Sequence, residues 1–491
     1  MNKYIRTGLA LLFLACQAAT AQNLPLPEDQ WELSRQSLVG ILEENHYTPN
    51  EFADALGSPS FTALMMQIKP KAVPWVKAFM KAKVHSHLLD LDMRFAKESN
   101  GAGVLSKRCW EIQSYTFTYL TRTVDGREKV MSGRVTFPNY KKEGTPHRVK
   151  TISLHAHQAL MDKEWAPSQS LMYMPLKALW DSAVIEPDLQ KWGINYEIEA
   201  DGGGSAVHMA RQLADCTVAA LEIMRQHGVT LSPKGYTTNW GSSQGALPTL
   251  QFAKWYDTEA PQWFKDALRL RSSYSVEGAI DSPDLIGFCY QHPENITVAL
   301  NVFVGYFKAF TPEQMGGYKA EEFVPQWFTD TKYQENGREI SFLDAISHQD
   351  VSGLKNKLEA LPQSLNSFDR VVAPDMLTED GKVDMDSPKV RAWLSCLKKY
   401  NSLEGWTPEH NIYIAHGPED DMIPFEKSYN LYRTLSNQGK NSKVHMLSVP
   451  NPGFLPDTGM TPHYIISFMA QVFMAFEENP EDMRLRYIPV K

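Results

Sequence analysis

Two hydrophobic rhythms divide the chain. Between about residues 23 and 105 the apolar positions recur at helical spacing: Leu38, Ile41 and Leu42, then Leu64, Met65 and Ile68, then Val76, Phe79 and Met80. That spacing predicts a helical N-terminal extension. From Trp110 the period shortens to two. Residues 110–123 and 128–137 are rich in Tyr, Thr, Phe and Val and flank Val124-Asp125-Gly126, which predicts a hairpin. Residues 149–155 (VKTISLH) and 183–186 (AVIE) predict two more strands. A helical face follows through Val207, Ala210, Leu213, Val218, Leu221 and Met224, with Ser205 as its N-cap and Gly228 at its end.

Strand character returns at 236–238, 268–276, 411–415 and 442–449, with a helix at 426–437. A last helix is predicted from Thr461-Pro462 through Ile465, Phe468, Met469, Val472, Phe473 and Phe476. Strands alternating with helices predict an α/β fold, a mostly parallel sheet of about eight strands with helices on both faces. The alternation stops between residues 282 and about 404. Val298, Val302, Phe303, Tyr306, Phe307 and Phe310 mark one helical segment there, and Trp327 and Phe328 sit in another. A structureless stretch of that length is implausible, so an inserted helical lid is expected. Most of its aromatics are expected to build its own core. The predicted organisation is a signal peptide (1–21), a helical extension (22–108), a core in two parts (109–281 and 405–491) and the insertion (282–404).

Composition adds bounds. The 491 residues are 43% apolar and 22% charged, ample for a large core. A net charge of −8 without a long basic run gives no sign of a nucleic-acid partner. Lys3 and Arg6, the apolar run Leu9–Ala15 and Ala19-Thr20-Ala21 read as an export signal, giving a periplasmic or secreted chain starting near Gln22. Cys16 after Phe13-Leu14-Ala15 offers the alternative of a lipid anchor. No later stretch is long and apolar enough to span a bilayer. Cys109, Cys216, Cys289 and Cys396 are far apart without CxxC spacing; they suit buried thiols or one or two disulfides rather than a metal. His85 and His87 lack a third ligand and read as a polar surface pair. The glycine run before Ser205 lacks the lysine of a phosphate loop, and no cofactor is implied.

The chemistry is carried by Gly241-Ser242-Ser243-Gln244-Gly245, a G-x-S-x-G pattern between a strand and a helix. Such a turn exposes one serine oxygen and needs small residues two before and two after it. A serine hydroxyl is a poor nucleophile until a base takes its proton and an acid orients that base. The chain order expected with this turn is Ser, then Asp or Glu, then His. The acid is expected after strand 411–415, in His416-Gly417-Pro418-Glu419-Asp420-Asp421-Met422-Ile423-Pro424; Asp420 is the choice, with Asp421 and Glu419 as rivals. The base is expected after strand 442–449, which selects His463 in the first turn of the last helix. A helix N-terminus disfavours added positive charge and so favours a neutral resting imidazole. His445 falls inside a strand, and His416 is expected to shape the acid loop. The oxyanion donors are expected at the amide of Gln244 and near His157 and Gln158, in His155-Ala156-His157-Gln158.

With these motifs the chain resembles an α/β-hydrolase over about residues 110–478. The serine elbow, Val184-Ile185-Glu186-Pro187-Asp188, the loop 416–424 and the late His463 carry the resemblance. The layout, with its insertion before the acid loop and its N-terminal extension, is similar to secretory lipases and related bacterial esterases. The resemblance implies a serine hydrolase for carboxylic esters, acting through an acyl-enzyme on a small-molecule ester substrate. An aromatic lid suggests an apolar acyl or aryl group in that substrate. Two features depart from the family pattern: Gln158 and its neighbours replace the usual HG or HGGG loop, and Pro248 falls early in the helix after the serine. The alternatives are a serine peptidase on the same scaffold and a binding protein that kept the scaffold without turnover.

Overall fold

The period-two stretches become neighbours in one ten-stranded sheet. The computed structural model describes residues 33–56, 86, 88–98, 109–124, 126–158, 160, 163–171, 174–189, 192–195, 205–278, 307–308, 310–335, 338–348, 371–449, 462–463, 467 and 488–489. In chain order the sheet strands are β1 (Leu38–Tyr47), β2 (Trp110–Arg122), β3 (Glu128–Tyr140), β4 (His147–Ala156), β5 (Ser182–Pro187), β6 (Val229–Ser242) and β7 (Leu270–Val276). A separate hairpin, β8 (Lys332–Glu335) and β9 (Arg338–Ser341), precedes the last three sheet strands, β10 (Asn411–His416), β11 (Val444–Ser448) and β12 (Ile488–Pro489). The order across the sheet is β1-β2-β3-β5-β4-β6-β7-β10-β11-β12. The run from β5 to β11 is parallel. The edge pairs β1–β2, β2–β3, β3–β5 and β11–β12 are antiparallel. The chain leaves β4 to one side, for β5, and resumes on the other side with β6. That reversal opens a crevice beyond the carboxyl ends of β4 and β6, where a sheet of this kind receives ligands.

Helices cover both faces. Residues 7 apart in a strand point to opposite sides, and β2 shows the result. Trp110 stacks on Phe95 of the helix at 88–98, with ring centroids 5.2 Å apart and planes 6° from parallel. Tyr115, Phe117 and Tyr119 enter the other face, packed with Leu213, Cys216 and Ala220 of helix α1 (Ala206–Gln226). Ser205 caps that helix through the His208 amide, as its sequence position predicts. Helices α2 (Ala246–Thr258) and α3 (Gln262–Leu268) follow β6. At the far side of the sheet, Leu247, Leu250 and Ala253 of α2 share a core with Ile412, Ile414, Val444 and Met446.

Three expectations change. Residues 38–47 are a strand, not part of a helix. Val39, Ile41 and Leu42 are 42%, 45% and 46% exposed, so the helical spacing corresponds to no buried stripe. The open edge of β2 offers backbone partners from Leu38 to Tyr47, and this distant pairing overrides the local rhythm. The sheet has ten strands rather than about eight, because β1 and β12 extend the predicted set at its two edges. The insertion is not all helical: among its described residues it contains the hairpin β8–β9 as well as helices α4 (Phe342–His348) and α5 (Pro388–Asn401). Phe307, Phe310, Phe323, Phe328, Phe342 and Trp393 form its own buried core. Residues 1–21, Leu64 to Met80, His85, His87, Cys289 and Val298 to Tyr306 lie outside the described residues. Cys109, Cys216 and Cys396 form no disulfide with one another.

Under β2, α1 carries a buried carboxyl. The Thr121 hydroxyl donates to Asp215 Oδ2 at 2.7 Å, and the Ser37 hydroxyl donates to the Asp215 carbonyl at 2.6 Å. Burial pushes this carboxyl up to about 7, against the pull of Thr121, Arg211 and Arg122. The folded chain therefore keeps a proton that the unfolded chain releases, and stability falls as pH rises from about 4 to about 7. The full effect is up to ~4 kcal/mol, present above that window. Melting temperature is expected to drop between pH 5 and pH 8, and Asp215→Asn is expected to flatten that drop in a calorimetric pH series.

Candidate active site

Ser243 stands where β6 turns sharply into α2. Its backbone is left-handed, φ 49°, a conformation uncommon for a residue with a Cβ. The turn closes by backbone contact. A Cβ on Gly245 would lie 2.0 Å from the Ala156 carbonyl oxygen, and one on Gly241 would lie 2.4 Å from the Gly245 oxygen and 2.6 Å from that of Ala156. Only glycine fits at either place, so the elbow is seated directly on the end of β4. His155 stacks on Trp240 at 4.2 Å and fixes the two strands together. Pro248 is the third residue of α2, where helix amides have no acceptor within the helix, so the ring costs no hydrogen bond.

The structure brings Ser243, His463 and Asp420 together. Ser243 Oγ is 3.0 Å from His463 Nε2, and His463 Nδ1 is 2.8 Å from Asp420 Oδ2. A proton on Nδ1, donated to the carboxylate, leaves Nε2 as the acceptor for the serine hydroxyl. Ser243 is half-buried, while His463 and Asp420 are buried. The loop holding Asp420 is pinned from inside. Its Oδ1 accepts the amides of Met422 and Ile423, each at 2.8 Å. His416 Nε2 lies 3.1 Å from Asp420 Oδ2 and 3.0 Å from the Ile423 carbonyl, and its Nδ1 is 2.6 Å from Ser428 Oγ. Burial pushes the Asp420 carboxyl up, but the charge and hydrogen bonds of His463 and His416 outweigh it and hold it well below the usual carboxylate range. The two rivals for its place are elsewhere. Asp421 Oδ1 accepts the His463 amide at 3.0 Å, and Glu419 is exposed. His445 lies in β11 and stacks on Tyr413 at 4.8 Å.

A further acid, absent from the sequence-based set, reaches the same imidazole. Glu277 directly follows β7, is fully buried, and has Oε2 3.6 Å from His463 Nδ1. Burial, then the negative charge of Asp420, pushes its carboxyl well above its ordinary value and so favours its protonated form. The signal in the sequence was its position, an acid at the carboxyl end of the strand beside the serine strand. Glu277, Asp420 and His463 place one oxygen or nitrogen each within 4.8 Å of one another, a spacing that invites a metal reading. The 2.8 Å contact of His463 with Asp420 is that of a hydrogen bond, whereas two tetrahedral zinc ligands at ~2.0 Å would stand about 3.3 Å apart.

The oxyanion candidates sit on the two elements that the glycines hold together. Gln244 opens the turn into α2, and His157 and Gln158 follow β4. The His157 ring is buried, with Nε2 2.7 Å from the Asp188 carbonyl oxygen and Nδ1 2.6 Å from that of Gln158. It anchors the loop to the end of β5. A cavity of about 240 Å³ lined by Lys150, Lys177, Trp180, Lys234 and Tyr236 lies toward the amino ends of β4 to β6, away from the crevice that holds Ser243.

No family model and no curated protein matches the chain. Solved structures do. The chain is similar to a presumed hydrolase from Legionella pneumophila, with 14% identity over 90% of this chain and 99% of that one and a TM-score of 0.56. It is similar to the rice cell wall degrading esterase LipA from Xanthomonas oryzae, with 13% identity over 91% and 97% of the two chains and a TM-score of 0.55. The fold is that of an α/β-hydrolase. In the α/β-hydrolase sheet of this chain, the crevice at the β4/β6 reversal and the Ser243–His463–Asp420 contacts coincide.

Gly245→Ala forces the elbow off β4 and is expected to destabilise the protein by about 3 kcal/mol or more. Gly439→Ala is the control. Its φ is 84°, but a Cβ there meets nothing within 4 Å, so its cost should stay near ~1 kcal/mol. Denaturant unfolding of the two variants measures the difference.

Proposed function

We propose that the protein is an exported serine hydrolase that cleaves carboxylic esters through an acyl-enzyme. The observation that carries this reading is the continuous hydrogen-bonded path from Ser243 Oγ through His463 to Asp420 at the carboxyl ends of the strands. Ser243 Oγ attacks the ester carbonyl carbon while its proton passes to His463 Nε2. His463 then gives that proton to the departing alkoxide, and a water repeats the two steps to release the acid. Asp420 holds the tautomer and balances the imidazolium charge. The amides of Gln244 and of the His157–Gln158 loop are the donors for the oxyanion, each contributing roughly 3 kcal/mol in the transition state. An ester is favoured over a peptide because the LipA neighbour that shares the fold is an esterase. The insertion's described aromatics turn into their own core, so they give no support to an apolar acyl group. Export rests on the charged and apolar pattern of residues 1–21.

Labelling by a fluorophosphonate probe is expected for the wild type and absent for Ser243→Ala. p-Nitrophenyl esters should turn over at least 10³-fold faster with wild type than with Ser243→Ala or His463→Ala. Faster hydrolysis of aminoacyl anilides than of esters would establish the peptidase instead. Folded wild-type protein that takes no probe would favour the binding-protein reading.

A further inference from the structure

Two residues of the sheet rim point at His463 from adjacent strands, and both have a backbone that L-residues rarely adopt. Ser243 after β6 and Glu277 after β7 each have φ 49°. Backbone strain of this kind persists where the surrounding structure over-determines a position, and it clusters at functional sites. The Glu277 amide donates to the Ala415 carbonyl at 2.8 Å, which ties the residue to β10, the strand that leads into the Asp420 loop. Its carboxyl is completely buried, and neither of its oxygens has a hydrogen-bond partner among the described residues. Its Oε2 stands 3.6 Å from His463 Nδ1, against 2.8 Å for Asp420 Oδ2, a difference of 0.8 Å.

Building on the serine-hydrolase reading, we propose that Glu277 is a second acid of the site, a positioning residue that braces His463 beside Asp420 and takes over its Nδ1 proton when Asp420 cannot hold it. Two carboxylates this close in a dry site do not both ionise, and environment decides which keeps the charge. Asp420 accepts two backbone amides and two imidazoles and stays anionic. Glu277 has no such set among the described residues, and burial favours its protonated form. A single negative charge beside Nδ1 supports the imidazolium during turnover without locking the base in its protonated form. Removing the Asp420 charge removes the larger electrostatic contribution, second only to burial, that holds the Glu277 carboxyl above its ordinary value. Glu277 then gives its proton to solvent and accepts the Nδ1–H after a shift of less than about 1 Å.

The test is a double-mutant cycle on ester hydrolysis, measured from pH 5 to 9, with melting temperatures recorded for each variant. Glu277→Ala should lower kcat about tenfold with KM unchanged, and Glu277→Gln should recover part of that loss. Asp420→Asn should lose only about 10²-fold, instead of the roughly 10⁴ of a site with one acid, and its residual rate should climb with pH as Glu277 ionises. Asp420→Asn/Glu277→Gln should fall to about 10⁴ and lack that climb. Asp420→Ala takes the place of Asp420→Asn if the latter does not fold. Equal rates and equal pH profiles for the single Asp420 variant and the double variant would overturn the role of Glu277 while leaving the serine reading intact. Undiminished turnover in Ser243→Ala would instead overturn the serine reading itself.

Discussion

The seat of the elbow on β4 is the contact on which the rest of this site depends. Two glycines let one backbone rest against another, within distances that no side chain permits. The contact has three consequences at once. It forces Ser243 into a left-handed turn, sets the start of α2 and fixes how far the serine stands from the loop after β4. Hydrophobic packing alone leaves tenths of an ångström undetermined; a backbone-to-backbone contact does not. The stacking of His155 on Trp240 and the hold of His157 on the Asp188 and Gln158 carbonyls extend this fixed geometry from the strands into the loop.

Electrostatics then arranges what the backbone has placed. Three acids, Glu277, Asp420 and Asp421, surround one histidine, and each has a different task set by its donors. Asp421 gives an oxygen to the His463 amide, and so fixes the backbone that carries this imidazole. Asp420 is saturated with donors and carries the charge. Glu277 has no hydrogen-bond partner for either carboxyl oxygen among the described residues, and burial favours its protonated form. His416 acts indirectly, by holding Asp420 and the Ile423 carbonyl in one loop conformation. One kind of side-chain group, the carboxyl, thus meets three different environments around a single imidazole.

Much of this was legible in the chain because the signals are local. The glycine spacing around Ser243, the acidic loop after 411–415 and a histidine following the last predicted core strand are each short-range signals, and chain order links them. Ser205 as a cap and the period-two rhythm of β2 and β3 are local in the same sense. What was hidden depends on distant pairing. β1 forms because β2 has an open edge some seventy residues later, and its own sequence carries a helix-like rhythm. Glu277 acquires its meaning only when β7 lies between β6 and β10. The hairpin β8–β9 is four residues per strand, too short to impose a period on an aromatic-rich background.

The end of the insertion shows where the chain resists division. The side chain of Asn401 accepts the Ala206 amide at the first turn of α1, and the carbonyls of Asn401 and Ser402 receive Gln251 and Lys254 of α2. Leu403 and Trp406 are already in the core that α2 shares with β10 and β11. The last turn of α5 is therefore masonry of the sheet domain, although a boundary drawn by composition assigns it to the insertion. Anyone trimming or exchanging that segment has to cut upstream of Asn401, since a graft that removed it would take the keystone from the two helices flanking the serine strand.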